Sequence, residues 1–277
     1  MRKLIASLAS LRLIVLFSGA ALFAELAYAE DLVIPGSGNP EHVLGELAQA
    51  FNAGQSRHRA LVPMTTGTAG AIREVGEGTA ALGRVGRPLN AAELALGLRY
   101  LPFGRDCVAV VGGAAVNARG ITGEQLKAVF AGTITNWSTL GGKAGPIRVI
   151  GKEKTDTIRQ QVEKKYGDLN FGDAVKIVHL DSQVLELLDR YPTSFATLNR
   201  SALDASRTKL AILALDGVEP NLENLESGRC PVSIEFGLIH RSGGIGPAAK
   251  AFVDFIGTDQ AAKIMRVHGV MPLNAPR

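Results

Sequence analysis

The sequence predicts an α/β protein with room for two lobes. From Asp31 onward, short apolar runs alternate with amphipathic stretches of helical period. Several apolar runs end in Gly, Ser and Thr clusters that lead directly into the next helix. The 277 residues suffice for one large domain or two lobes with separate cores, at ~100–200 residues per domain. No repeat, heptad or flexible tether interrupts the alternation, so a chain with two lobes crosses between them through ordered strands.

The elements follow in order. Leu32-Val33-Ile34 reads as a strand that stops at Pro35-Gly36-Ser37-Gly38-Asn39-Pro40. A helix begins with Pro40 in its first turn and places Val43, Leu44, Leu47 and Phe51 on one face. The unit recurs: a strand at 60–62, the junction Thr65-Thr66-Gly67-Thr68-Ala69-Gly70, a short helix through Val75, a strand at 80–85 and a helix at 91–98. A second series opens with the strongly apolar strand 107–111 and a helix from Thr122 that aligns Leu126, Val129 and Phe130 before Gly132. Strand 146–150, a helix from Thr155 to about Tyr166, strand 177–178, helix 181–190 and strands 194–198 and 210–215 continue it. A short helix at 221–227, a strand at 232–239 and helices 247–256 and 258–267 complete the chain.

Composition and charge exclude several classes. Two Cys in 277 residues do not make a disulfide-stapled miniprotein, and 46% hydrophobic residues rule out a disordered tail. Met1-Arg2-Lys3, the mostly apolar stretch 4–23 and Ala27-Tyr28-Ala29 predict a secretory signal over residues 1–29, cleaved after Ala29. Arg12 interrupts the apolar stretch, which is then too short for a span of ~20 residues. Removing Arg2, Lys3, Arg12 and Glu25 lowers the net charge from +4 to +2, so no basic patch remains to imply a nucleic-acid partner. In an exported protein, Cys107 and Cys230 are a candidate disulfide, or else two buried thiols.

Three strand-to-helix junctions are candidates for ligand contact: Ser37, Gly38 and Asn39; Thr68 and Ala69; Thr155 and Thr157. The first amides of a helix lack intrahelical partners and carry about half a positive charge, so small residues there admit an anion. Each junction alone reads first as ordinary helix capping; three in one chain shift the reading toward a ligand. Arg84 and Lys152, beside these junctions, are solvated surface charges or raise the local potential for such an anion. Catalysis is unsupported: the sequence has no phosphate-binding Walker loop, nucleophile elbow or complete dinucleotide fingerprint. No cofactor is expected. His42, His58, His179, His240 and His268 stand apart, none with a second ligand at metal spacing.

Residues 121–137, with a helix followed by Phe130-x-Gly132-x-Ile134-x-x-Trp137, closely resemble a signature of the PstS-like periplasmic phosphate-binding proteins of ABC importers. Phe236-Gly237-Leu238-Ile239, then Ala251-Phe252-Val253-Asp254-Phe255-Ile256 and residues 260–272, are similar to the same family. The resemblance implies a two-lobed α/β fold of the type II periplasmic-binding class, each lobe a mixed sheet flanked by helices, with the ligand in the cleft between. It implies lobe I over 30–105 plus 236–277 and lobe II over 106–235, with crossings near 104–108 and 232–237. A small oxyanion, phosphate first, is then held by amides and hydroxyls at the three junctions already named. The implied protein is a periplasmic monomer, not an enzyme, that delivers its ligand to an inner-membrane ABC permease.

Two departures qualify the ligand. The family's third motif resembles R-x-D-G-S-G-T; here Gly151 stands for its Arg and Asp156 for its second Gly, while Thr155 and Thr157 keep the hydroxyls. A carboxylate at a helix N-terminus is itself stabilised by ~0.3–1 kcal/mol and competes with a bound anion. Gly86 occupies the place of the Asp that accepts the proton of a partly protonated phosphate. Lys152 or Arg84 is the expected replacement for the missing positive charge. The same departures leave a second expectation, an exported sensor or interaction module that has lost or changed its oxyanion.

Overall fold

The computed structural model describes residues 30–55 and 57–273. The expected signal segment 1–29 and its cleavage point lie outside the described residues. Two parallel strands, β1 (Glu30–Val33) and β2 (His58–Leu61), are joined by α1 (Glu41–Gly54), whose buried Val43, Leu44, Leu47 and Phe51 form the expected apolar face. Pro40 is the cap rather than the first helical residue. Then come α2 (Gly67–Glu77), β3 (Gly83–Val85) and α3 (Ala91–Ala95). β3 is shorter than the expected 80–85 because the amides of Thr79 and Ala80 turn back onto the Glu74 carbonyl that ends α2.

The largest difference from expectation is β4 (Leu98–Gly112), 15 residues where the apolar pattern predicts a strand only at 107–111. Gly97, with φ of 77°, ends the preceding turn and starts the strand. Arg99, Pro102, Arg105 and Asp106 break the strand's hydrophobic pattern and hide it from a reading by periodicity. Beyond it lie β5 (Gly120–Ile121), α4 (Gly123–Phe130), β6 (Arg148–Lys152), α5 (Thr157–Tyr166), β7 (Lys176–Val178) and α6 (Asp181–Arg190). α4 is held by a capping box between Thr122 and Gln125. The chain continues through β8 (Ser194–Asn199), a 3-10 turn (Arg200–Ala205), β9 (Ala211–Leu215), α7 (Leu222–Glu226), β10 (Ser233–Arg241), α8 (Pro247–Ile256), α9 (Asp259–Val267) and β11 (Met271–Pro272).

Apart from the β1–β2 pair, the strands form one large mixed sheet with the path β3-β10-β4-β8-β6-β7. β4 is shared. Its residues 98–107 run antiparallel to β10, and from Val108 onward it pairs instead with β8 and β9. Cys107, where the partner changes, is joined to Cys230 with Cα atoms 5.9 Å apart, within the range a disulfide requires. Helices cover the sheet: Phe51 of α1 meets Phe252 of α8 edge to face at 5.2 Å, and Phe130 stacks on Phe171 at 4.9 Å. No helix among the described residues is long and apolar enough to cross a membrane.

Candidate functional site

The carboxyl ends of β1, β2, β3 and β6 face a cavity of about 670 Å³. Eight of the nine candidate contact residues line it: Ser37, Gly38, Asn39, Thr68, Ala69, Lys152, Thr155 and Thr157. Residues 37–39, 65–69 and 152–157, remote in sequence, thus share one wall because three strand-to-helix turns open on the same side.

Each turn reaches the cavity by a different device. Gly36 has φ of 136°, and a Cβ there would fall 1.9 Å from the Arg84 carbonyl, so only glycine lets the first loop lie against β3. Within that loop, the Ser37 amide donates to the Arg84 carbonyl at 2.9 Å, and the Asn39 amide to Ser37 Oγ at 3.3 Å. α2 begins with no side-chain cap on Thr66, so its first-turn amides at Thr68 and Ala69 lack a capping acceptor. Thr68 Oγ1 accepts from the Gly86 amide at 3.3 Å. α5 is the opposite case: Asp156 caps it, accepting from the Arg159 amide at 2.9 Å, which moves the helix start from the expected Thr155 to Thr157.

Gly86 shows how tightly the walls meet. A Cβ on it would lie 2.3 Å from Asn39 Oδ1, 2.8 Å from Ser37 Oγ and 3.2 Å from Thr157 Oγ1. The space that an acidic side chain would occupy there is already filled by polar atoms of the first loop. Those same contacts bring residues 37–39 of one turn within a few ångströms of Thr157 in another.

Arg84 does not line the cavity, contrary to expectation. Its side chain is fully buried, with Nε donating to the Ser37 carbonyl at 2.8 Å, Nη1 to the Ile34 carbonyl, and Nη2 to the Pro63 carbonyl at 2.7 Å and to Glu41 at 2.8 Å. Burial pushes its pKa down from the ordinary value, and Glu41 opposes that shift. β3 places Arg84 beneath the loops rather than in front of them, where its guanidinium fastens the backbone on both sides.

Lys152, at the end of β6, does reach the cavity and is 6% exposed. Its Nζ lies 2.6 Å from Asp181 Oδ1 and 3.6 Å from Asp156 Oδ2. Burial alone would lower the lysine pKa, but the two carboxylates outweigh burial and raise it. Burial raises the Asp156 pKa against the pull of Lys152. Asp181, the first residue of α6, is a wall residue that the sequence reading missed. Its other oxygen sits 2.8 Å from where a Gly38 side chain would begin, so this carboxylate reaches across to the first loop. The signal available was positional: β7 into α6 is a fourth strand-to-helix junction and, like the third with Asp156, it carries an acid. Arg87, the other Lys or Arg on the wall, is clamped by both oxygens of Glu93 at 2.8 and 2.7 Å.

A family model described as a PBP superfamily domain matches residues 24–260. The phosphate-binding protein PstS of Bacillus subtilis (strain 168) is 29% identical over 174 residues, 60% of this chain and 56% of that protein. The chain therefore spans little more than half of that relative's length. The phosphate-binding protein PstS of Borreliella burgdorferi is 20% identical over 194 residues, 67% of this chain and 70% of that protein. Among solved structures, a phosphate ABC transporter substrate-binding protein from Clostridium perfringens, with bound phosphate, superposes with a TM-score of 0.78 at 22% identity. That match covers 88% of this chain and all of the other. An ABC-type phosphate transport receptor from Vibrio cholerae gives 0.62 at 21% identity, over 87% and 99% of the two chains.

Proposed function

The chain belongs to the PBP superfamily, and on that premise we propose that it is an exported solute-binding protein that takes a small oxyanion, phosphate first, and hands it to an ABC permease. The observation that carries this reading is the convergence of residues 37–39, 68–69 and 155–157 with buried Lys152 on one cavity wall. Uncapped amides at the start of α2, together with the hydroxyls of Ser37, Thr68 and Thr157, are donors suited to tetrahedral oxygens. The family binds solutes and does not catalyse. In this reading the protein works as a monomer and is processed after Ala29. Lobe I comprises 30–105 with 236–277 and lobe II 106–235; the change of β4 partner at Cys107 and Val108 supports that division.

A calorimetric screen of phosphate, sulfate and related oxyanions tests the reading, with one-to-one binding of at least one expected. Thr68→Ala and Thr157→Ala each lower the affinity about tenfold to 100-fold, the value of a hydrogen bond to a charged group, and leave the melting transition in place. Silence toward every oxyanion removes the reading.

The pairing of Lys152 with Asp156 and Asp181 favours a second reading, an exported sensor or interaction module whose ligand has changed. A stable partner recovered with the native protein, and no small molecule bound by mass spectrometry, selects it.

A further inference from the structure

Spacing along the chain shows no metal-ligand pair, yet the fold builds one away from the cleft. His42 in the first turn of α1, Asp204 in the 3-10 turn and His268 at the C-terminal cap of α9 offer one ligand-type atom each, all within 4.8 Å of one another. The two imidazoles meet edge to face at 5.1 Å. His268 Nδ1 lies 2.9 Å from Asp204 Oδ2, while Arg200 Nη1 donates to Asp204 Oδ1 at 2.7 Å and so fixes the carboxylate from behind. His42 Nε2 is buried and has no hydrogen-bond partner. Buried polar atoms are nearly always satisfied, so this nitrogen is open to a further partner.

We propose that His42, Asp204 and His268 bind a divalent transition-metal ion, Zn²⁺ foremost. Two imidazole nitrogens and one carboxylate oxygen form a borderline donor set that suits Zn²⁺ and leaves a fourth position for water. Bonds of ~2.0–2.1 Å in a tetrahedron separate the ligand atoms by about 3.3 Å, so side-chain rotation suffices to close the group from its present spread. Arg200 supports the carboxylate from its outer oxygen, as a second layer of partners does around bound metals. His42 also borders a cavity of about 170 Å³ between α1, α6 and the 3-10 turn, which gives an ion and its waters a way in. An ion there ties the first turn of α1, three residues beyond Asn39, to a turn and a helix more than 150 residues away in sequence.

The test uses tag-free protein stripped with chelator, titrated with ZnCl₂ by calorimetry and with Co²⁺ by visible absorption. One Zn²⁺ per chain, intense tetrahedral Co²⁺ bands and no response to Mg²⁺ are expected. His268→Gln and Asp204→Asn, at partly exposed positions, each weaken Zn²⁺ binding at least ~10-fold with unchanged circular dichroism, and His42→Gln does the same. No saturable Zn²⁺ binding, or binding that none of these substitutions weakens, overturns the proposal.

Discussion

Replacing Asp106 by asparagine removes an ionisation while keeping the shape of the side chain. Asp106 is fully buried on β4, next to Cys107 where that strand changes partner. Its Oδ2 accepts from Asn199 Nδ2 at 3.0 Å and from the Ser201 amide at 2.9 Å, while Oδ1 has no partner. Burial outweighs these hydrogen bonds and pushes the carboxyl up from 3.8 to about 6. Between those values the native state keeps a proton that the unfolded chain has lost, so the stability tied to this group is present below pH ~4 and is lost as pH rises through ~6. At 1.36 kcal/mol per unit, the whole change is about 3 kcal/mol. Asparagine does not titrate. The stability of Asp106→Asn minus that of the native protein, from urea melts at a series of pH values, is therefore expected to climb by ~3 kcal/mol between pH ~4 and ~6 and to level off on either side. A difference that stays constant across that window, or shrinks with rising pH, refutes the account.

Other substitutions probe the supports of the cleft. Arg84→Met strips donors from three carbonyls and leaves Glu41 without its partner, so a loss of ~3–5 kcal/mol in denaturant melts is expected; a loss under ~1 kcal/mol would show the network to be inert. The Cys107–Cys230 link closes a separation of 123 residues, and Cys107→Ser with Cys230→Ser lowers stability by up to ~5 kcal/mol. Two titratable thiols in the denatured, unreduced protein would contradict the link itself. Asp181→Asn unmasks Lys152, and oxyanion affinity by calorimetry rises up to about tenfold in the cleft reading; weaker or unaltered binding sinks the idea that Asp181 competes for that lysine.

What the sequence makes legible is what is local. The three Gly, Ser and Thr junctions and the amphipathic face of α1 depend on neighbours within a turn or two, and the fold places them as their patterns imply. Arg84 fails as a cavity residue because the direction of its side chain is decided by carbonyls at Ile34, Ser37 and Pro63, which local pattern does not place beside it. The first half of β4 is hidden because a strand that pairs with β10 on one side tolerates Arg99, Pro102 and Arg105, and these erase the apolar run that marks a buried strand. His42 and His268 are invisible as a pair for the same reason: more than 200 residues separate two imidazoles that the packing of α1 against α9 brings together.

If the cleft takes an oxyanion as proposed, side-chain charge is not the main attraction. Among the described residues, both Lys or Arg side chains on its wall are already paired, Lys152 with Asp181 and Arg87 with Glu93, and the third candidate, Arg84, is spent on Glu41 and backbone beneath the loops. An anion arriving at Lys152 must displace or accommodate a carboxylate 2.6 Å away, whereas the first amides of α2 and the hydroxyls of Thr68 and Thr157 are donors that no carboxylate engages. Those donors do not distinguish one tetrahedral oxyanion from another. In the proposed reading Asp181 does, because a carboxylate on the wall accepts a hydrogen bond from an oxyanion that still carries a proton and repels one that does not. The acceptor that the crowding around Gly86 excludes is thus available from another helix, and Asp181→Asn is expected to raise affinity for sulfate more than for phosphate. Equal gains for the two anions would leave the cleft without any group that tells them apart.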